Sequence, residues 1–315
     1  MFTIGRYFRK RYGEDVYKVP LSIQGFTCPN IDGTVAKGGC TFCLNESFSP
    51  NLSQKSPKKF YLSPDSPENP LLQKQLEQVR IQYRATSRRL AGKYGVRKFI
   101  AYFQSFTNTY APVDTLKALY EEALGQPGCV GLSIGTRSDS VSEEILDYLE
   151  ELSRRYEIWV EYGIQSIYDE TLEAINRGHD SANVREWIEK TKRRGLNVCG
   201  HVIFGLPGES DTMMLETVRT SIGWGIDSIK FHPLYVVRNT ALAVDYLKGR
   251  FVPIEEERYI RLLVESIRML PGSISVQRVT AGIDDESLLA PDWCRDKHRQ
   301  MRNIRHALKT AGYIY

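Results

Sequence analysis

At 315 residues, 42% hydrophobic and 25% charged, the chain can bury a full core as one domain, and no apolar run approaches the roughly 20 residues of a membrane helix. Its basic opening, MFTIGRYFRKRYGED, lacks the apolar centre of a secretory leader, so a cytoplasmic protein with no membrane partner is expected. The net charge of +4 is small but unevenly spread, which leaves a polyanionic partner open.

Short apolar runs alternate with amphipathic helices along the chain, the pattern of consecutive βα units around a parallel sheet. Residues 1–17 form a basic N-terminal arm, and residues 21–25 are the first candidate strand. A loop over 26–48, rich in Gly, Asp, Asn and Pro, then carries Cys28, Cys40 and Cys43. Five prolines mark 49–70 as an extended surface stretch before a helix over 71–94. Residues 51–100 hold eleven Lys or Arg against three acids, among them Lys55, Lys58, Lys59, Arg80, Arg84, Arg88 and Arg89. Further strands are expected at 98–103, 130–135, 158–163, 198–204 and 228–232. Helices fall between them at 113–124, 142–156, 170–176 with 182–194, and 211–224. Proline or a capping hydroxyl stands at several helix starts (Pro70, Pro112, Ser142), and Gly95, Gly125 and Gly195 stand just past helix ends. The barrel so defined spans 18–235. An extension over 236–315 adds a helix near 255–270, a strand over 275–280 and a basic helix over 296–308, and closes one side of an incomplete barrel. Its residues 291–315 carry six basic side chains against two acidic ones. Both basic segments suit a polyanion, and a solvated helix face explains them as well.

Alternation inside the strands separates two faces. Ile158, Val160 and Tyr162 oppose Trp159, Glu161 and Gly163; Val198, Val202 and Phe204 oppose Cys199, His201 and Ile203; Ile229 and Phe231 oppose Lys230 and His232. The helix-facing side of a barrel strand is apolar, so the polar set faces inward. A lumen lined by Ser133, Glu161, His201, Lys230 and His232 reads as a ligand chamber, the alternative being a closed, internally satisfied polar network.

The cysteines are spaced C-x11-C-x2-C, and six cysteines with only these three clustered do not suggest a disulfide framework. Three thiolates can hold three irons of a cubane and leave the fourth open to a small molecule. A structural zinc site wants four ligands, and no fourth Cys or His lies near the loop; Cys129 is the nearest. Cys199 and Cys294 could offer a thiol to a substrate radical or simply pack.

Cys40, Phe42 and Cys43, a Cys-x-aromatic-Cys after the first strand of a six-fold βα pattern, resemble the radical S-adenosylmethionine (SAM) superfamily. The wide spacing back to Cys28 is similar to the branch containing the elongator catalytic subunit. CPNIDGT, GGCTFC, YFQSFTNTYAP, GTRSD, GIQSIYDETLEAINRGHD, FGLPGE and KFHPLYVVRNTAL together resemble stand-alone elongator-like proteins of the YhcC/YtqA type, over nearly the whole chain.

That resemblance implies an α/β fold, a partial (βα)6 TIM-like barrel with a C-terminal extension. It also implies a 4Fe-4S cluster on Cys28, Cys40 and Cys43, SAM as the second cofactor, and a reductant such as flavodoxin or ferredoxin. Ser105 and Thr107, in the stretch that replaces the usual Gly-Gly-Glu, are candidates for the methionine amino group. Arg137, with Asp139, stands near the ribose position, where Gly135 replaces a glutamate of related proteins. Gln165 and Arg177 match residues for the methionine carboxylate region, and Glu161 and His201 face the same lumen. Gly205, Pro207 and Gly208 belong to a turn near the adenine or to a plain βα turn. The implied enzyme generates a 5′-deoxyadenosyl radical, and tRNA, at a wobble uridine, is the leading substrate class by analogy with the elongator branch. The rivals are small-molecule or cofactor biosynthesis, and a nucleic-acid-binding protein with a structural or redox-sensing cluster.

Overall fold

The computed structural model describes residues 1–44, 61–282 and 286–315. In chain order they form α1 (Ile4–Tyr12), β1 (Val16–Leu21), α2 (Pro29–Asp32), α3 (Leu72–Tyr94), β2 (Lys98–Phe103), α4 (Val113–Leu124), β3 (Cys129–Thr136), α5 (Glu143–Ser153), β4 (Glu157–Gln165), α6 (Asp169–Ala174) and α7 (Ser181–Arg193). There follow β5 (Asn197–Phe204), α8 (Asp211–Gly223), β6 (Ser228–Pro233), β7 (Val236–Val237), α9 (Ala241–Leu247), α10 (Glu256–Met269), β8 (Ser275–Arg278), β9 (Leu288–Ala290) and α11 (Lys297–Thr310). Lys55, Lys58 and Lys59 lie outside the described residues.

Strands β1 to β6 pair in sequence order, all parallel, and β8 adds beside β6, giving a seven-stranded curled half-barrel of the partial TIM type. The extension thus contributes a seventh barrel strand as well as covering one side. A small antiparallel pair, β7 with β9, was not expected from the sequence.

The alternation sorts as its period demands. Val19 and Leu21, Phe99, Ala101 and Phe103, Leu132 and Ile134, Ile158, Val160 and Tyr162, Val198, Val202 and Phe204, and Ile229 and Phe231 join one core between sheet and helices. Each fully buried aliphatic side chain of this kind contributes about 1.5–3 kcal/mol. Several helices start where a side chain caps them: Ser142 accepts from the Ile145 amide, Asp180 from that of Asn183 and Ser210 from that of Met213.

The first strand corrects the sequence reading. It is Val16–Leu21, not 21–25, and contains Pro20. A proline argues against a strand interior, which shifts a sequence-based assignment past it. β1 is an edge strand with β2 as its single neighbour, and an edge tolerates the missing N–H. The first strand therefore starts at Val16, and helix α1 fills most of the segment before it.

Helix α1 is anchored at both rims. Val276 of β8 donates its amide to Phe2 O (2.9 Å), so the chain leaves the β8 edge, crosses the amino-terminal end of the half-barrel as α1, and turns into β1 at the other edge. Phe8 packs with Val16 and Ile100 beneath the lumen, and the Tyr7 ring meets Trp159 edge-on at 5.5 Å. Aromatic packing thus forms the floor of the lumen.

Candidate active site

Above this floor the inward faces of β1, β3, β4, β5 and β6 converge on Glu161, which is fully buried. Its carboxylate accepts from Lys18 and Lys230 ammoniums and the Ser133 hydroxyl, and meets His201 Nε2 at 2.7 Å. The two ammoniums lie 4.8 and 4.4 Å from the Tyr102 ring centroid, a second stabilising contact for buried cations. Burial alone would raise the Glu161 carboxyl; Lys18, Lys230 and His201 overcome it and hold the group well below its ordinary value. Burial, followed by the Lys230 charge, lowers His201 to about 4, so its ring is neutral near pH 7.

Two loops build the roof. Cys28 occupies the N-cap position of α2, with Pro29 as its first helical residue, and Cys43 N donates to Cys40 O (3.0 Å) to turn those two cysteines together. Asn30 Nδ2 donates to Asn176 O (2.6 Å) and Arg177 O (2.9 Å) and approaches Cys40 Sγ at 3.6 Å. In return, Asn176 Nδ2 donates to Lys37 O and Gly39 O. These reciprocal amide contacts staple the cysteine loop to the turn after α6. Gly178 is needed there: a Cβ would stand 2.7 Å from Asn30 Oδ1, and φ is +81°.

Cys28, Cys40 and Cys43 line one chamber together with Thr107, Arg137, Glu161, Gln165, Arg177 and His201. Nearly every proposed cofactor residue thus reaches it. Ser105 does not: it is buried with its hydroxyl 2.7 Å from Ser22 Oγ, outside the chamber wall. Arg137 is clamped to Asp139 (2.6 and 2.8 Å) and also donates to Arg177 O, which makes it part of the wall. Arg177 donates to Gly163 O (2.8 Å) and reaches toward Cys40 Sγ (3.8 Å). A Cβ on Gly163 would lie 2.7 Å from Gln165 Nε2 and 2.8 Å from Arg177 Nη2, so only glycine lets both side chains lie across β4. Gln165 itself holds φ +65° at an irregularity in the β4–β5 register, strain of about 1–3 kcal/mol of the kind that collects at ligand sites.

The chamber's chemistry is tested by its orphaned polar atoms. Gln165 Oε1, Arg177 Nε and Arg137 Nη1 are buried without a hydrogen-bond partner among the described residues. Unmet acceptors and cationic donors beside one another fit a ligand that carries both an amine and a carboxylate, as SAM does. A structural zinc site takes four protein ligands, whereas the three cysteines that line this chamber are the number that leaves one iron of a cubane open. The one set of potential ligands that does converge among the described residues is Glu161, Cys199 and His201. Two ammoniums already satisfy its carboxylate, and burial pushes the Cys199 thiol up to about 12, so this group reads as a salt-bridged floor.

Lys18, Asn30, Asn176 and Tyr102 were absent from the sequence-derived site. Lys18 was hidden by the misplaced first strand; counting by twos from Val16 puts it in the lumen. The Asn30 contact is made across 146 residues and leaves no local signal. Cys294 is buried beside Gln300, in a cluster with Tyr235, apart from the chamber wall.

Residues 33–220 match the family model described as the Radical SAM superfamily, and residues 226–310 match the Radical_SAM C-terminal domain. Protein YhcC of Escherichia coli (strain K12) is 36% identical over 304 residues, covering 96% of this chain and 90% of that protein. A tRNA uridine(34) acetyltransferase of Methanocaldococcus infernus is 31% identical over 158 residues, 49% of this chain and 29% of that protein. Among solved structures, the Elp3 of Methanocaldococcus infernus lacking residues 1–46 superposes with a TM-score of 0.64 at 19% identity. That match covers 94% of this chain and 63% of the other, and shows a shared fold.

Proposed function

The chain belongs to the radical S-adenosylmethionine superfamily of enzymes, and from that premise we propose that Cys28, Cys40 and Cys43 hold a 4Fe-4S cluster on which SAM is cleaved, and that tRNA, at a wobble uridine, is the substrate. One observation carries the site: the three cysteines share a chamber with the orphaned Arg177 Nε, Gln165 Oε1 and Arg137 Nη1. A cluster held there by Cys28, Cys40 and Cys43 would, once reduced, supply the one electron that reductive cleavage of SAM requires. The chain's own residues bind and orient. Arg177 offers a planar cationic donor suited to the methionine carboxylate. Gln165 offers an acceptor for the amine, with Thr107 beside it in the wall. The neutral His201 ring and the salt-bridged Glu161 present a floor that neither supplies nor takes a proton near pH 7. Support for tRNA comes from the name of the acetyltransferase relative and from basic helices α3 and α11.

Anaerobic reconstitution should yield about four irons per chain and release 5′-deoxyadenosine from SAM on reduction. Cys28→Ala, Cys40→Ala or Cys43→Ala should abolish both, and full iron retention in any of the three would refute the ligand set. Modified nucleosides of total tRNA, compared with and without the gene, test the substrate; identical profiles would remove tRNA.

A further inference from the structure

The two edges of the half-barrel, β1 and β8, do not pair. They are joined across the gap by Lys18 Nζ, which donates to Gln277 Oε1 at 2.5 Å, and by α1 below. The opening between them is a cavity of about 640 Å³. It is distinct from the cysteine chamber but shares Tyr102 and Gln104 with it, so the two spaces meet at the end of β2.

Its wall is rich in donors and poor in acceptors. Arg9 is matched by Asp15 at 2.5 and 3.0 Å. Lys18 and Lys230 share the one carboxylate of Glu161. The guanidinium of Arg278, half-buried at the end of β8, has no hydrogen bond or ion pair among the described residues, and after burial its charge is the largest influence holding the His232 imidazole well below its ordinary value. Beside it, the buried Gln277 Nε2 also lacks an acceptor. A buried donor and a guanidinium left together without acceptors cost free energy that a ligand oxyanion would return.

We propose that Arg278 and Gln277, with Lys230 behind them, form a phosphate subsite in this lateral cleft and hold a phosphate group of the substrate while its reacting part extends past Tyr102 and Gln104 into the cysteine chamber. Phosphate matches the site because the guanidinium fork takes two of its oxygens and the neighbouring amide and ammonium can take others. The direction of approach rests on the reading of the chamber as the SAM site; the phosphate chemistry rests on the cleft alone. An RNA phosphate and the phosphate of a small metabolite share this chemistry.

The test is equilibrium binding of inorganic pyrophosphate to the reconstituted full-length protein without SAM, read by calorimetry at fixed ionic strength. Saturable binding is expected, weakened about tenfold to a hundredfold in Arg278→Gln and partly restored in Arg278→Lys. Circular dichroism confirms that each variant is folded. Equal affinity in parent and Arg278→Gln, or no saturable binding by the parent, overturns the assignment. Displacement of pyrophosphate by tRNA assigns the subsite to RNA, and displacement by ribose 5-phosphate but not tRNA assigns it to a small substrate; both outcomes support it. Cys40→Ala protein, run in parallel, should bind pyrophosphate like the parent. If no cluster forms yet Arg278-dependent binding persists, the radical reading falls and this one stands; a cluster with Arg278-independent binding means the reverse.

Discussion

Glu161 compensates two buried ammoniums at once, and that fixes what its loss would do. Glu161→Gln keeps the shape but leaves Lys18 and Lys230 near each other with no counter-charge. Removing one partner of a buried ion pair costs about 3–5 kcal/mol, so the variant should unfold at markedly lower urea; an unchanged midpoint would show that the network is not formed in solution. Because the folded-state carboxyl is held well below its ordinary 4.5, its stabilisation is present above that pH and is lost as pH falls through the lower folded value. Glu209 behaves oppositely. Burial raises it to about 7 although Ser166 and Thr171 favour the charged form. The folded state therefore holds its proton more tightly than the unfolded one, and stability is full below about 4.5 and declines as pH rises through about 7. Glu209→Gln should flatten that decline, which is on the order of 3 kcal/mol, in a pH series of urea titrations; a persisting slope would place the titration elsewhere.

The cysteine loop is an element whose stability comes from a distant partner. Its spacing and polar composition were legible in the sequence, and so was the inward set of Ser133, Glu161, His201, Lys230 and His232, because period two is a local property. The contact that holds the loop was not, since Asn30 and Asn176 look like ordinary turn residues and only the fold brings them together. Asn30→Ala removes three contacts, with Asn176 O, Arg177 O and Cys40 Sγ, and leaves the cysteines in place. It should fold and take up iron, then lose iron to a chelator several-fold faster than the parent. An equal rate would mean that the cysteines alone fix the loop. Ser105 illustrates the converse limit: its place in QSFTN marked it for the cofactor, but Ser22 on the neighbouring loop holds its hydroxyl. Pro20 is a third case, where a residue type read as a strand breaker sits in an edge strand that the sequence could not identify as an edge.

At the scale of the whole molecule, the described helices of the two basic segments attach to opposite edges of the half-barrel, α3 directly and α11 through α10. Helix α3 packs on β1, one rim of the lateral cleft, and α1 crosses its floor. Helix α11 is tied to α10 by Asn303 and Glu256 (2.8 Å), and Tyr259 of α10 donates to Val279 O (2.7 Å) just past β8, the other rim. Not every cation on these helices is free to meet RNA. Arg80 forms a two-pronged pair with Glu122 of α4 (2.7 and 2.8 Å), and Arg84 donates to Gln126 just past its end (2.9 Å), so both are engaged within the fold. Arg88, Arg89 and Arg302 are exposed, with no ion pair among the described residues. Neutralising Arg88, Arg89 and Arg302 together should therefore weaken tRNA binding and flatten the slope of log affinity against log salt by about 0.7–0.9 per lost phosphate contact. Arg80→Gln should leave that slope unchanged and lower stability only slightly, as exposed pairs do. The measurement is a salt series of tRNA affinities for the parent and both variants. If the triple variant keeps the parent's slope, these helices do not touch RNA; if the parent binds no tRNA at all, a small phosphorylated substrate takes its place.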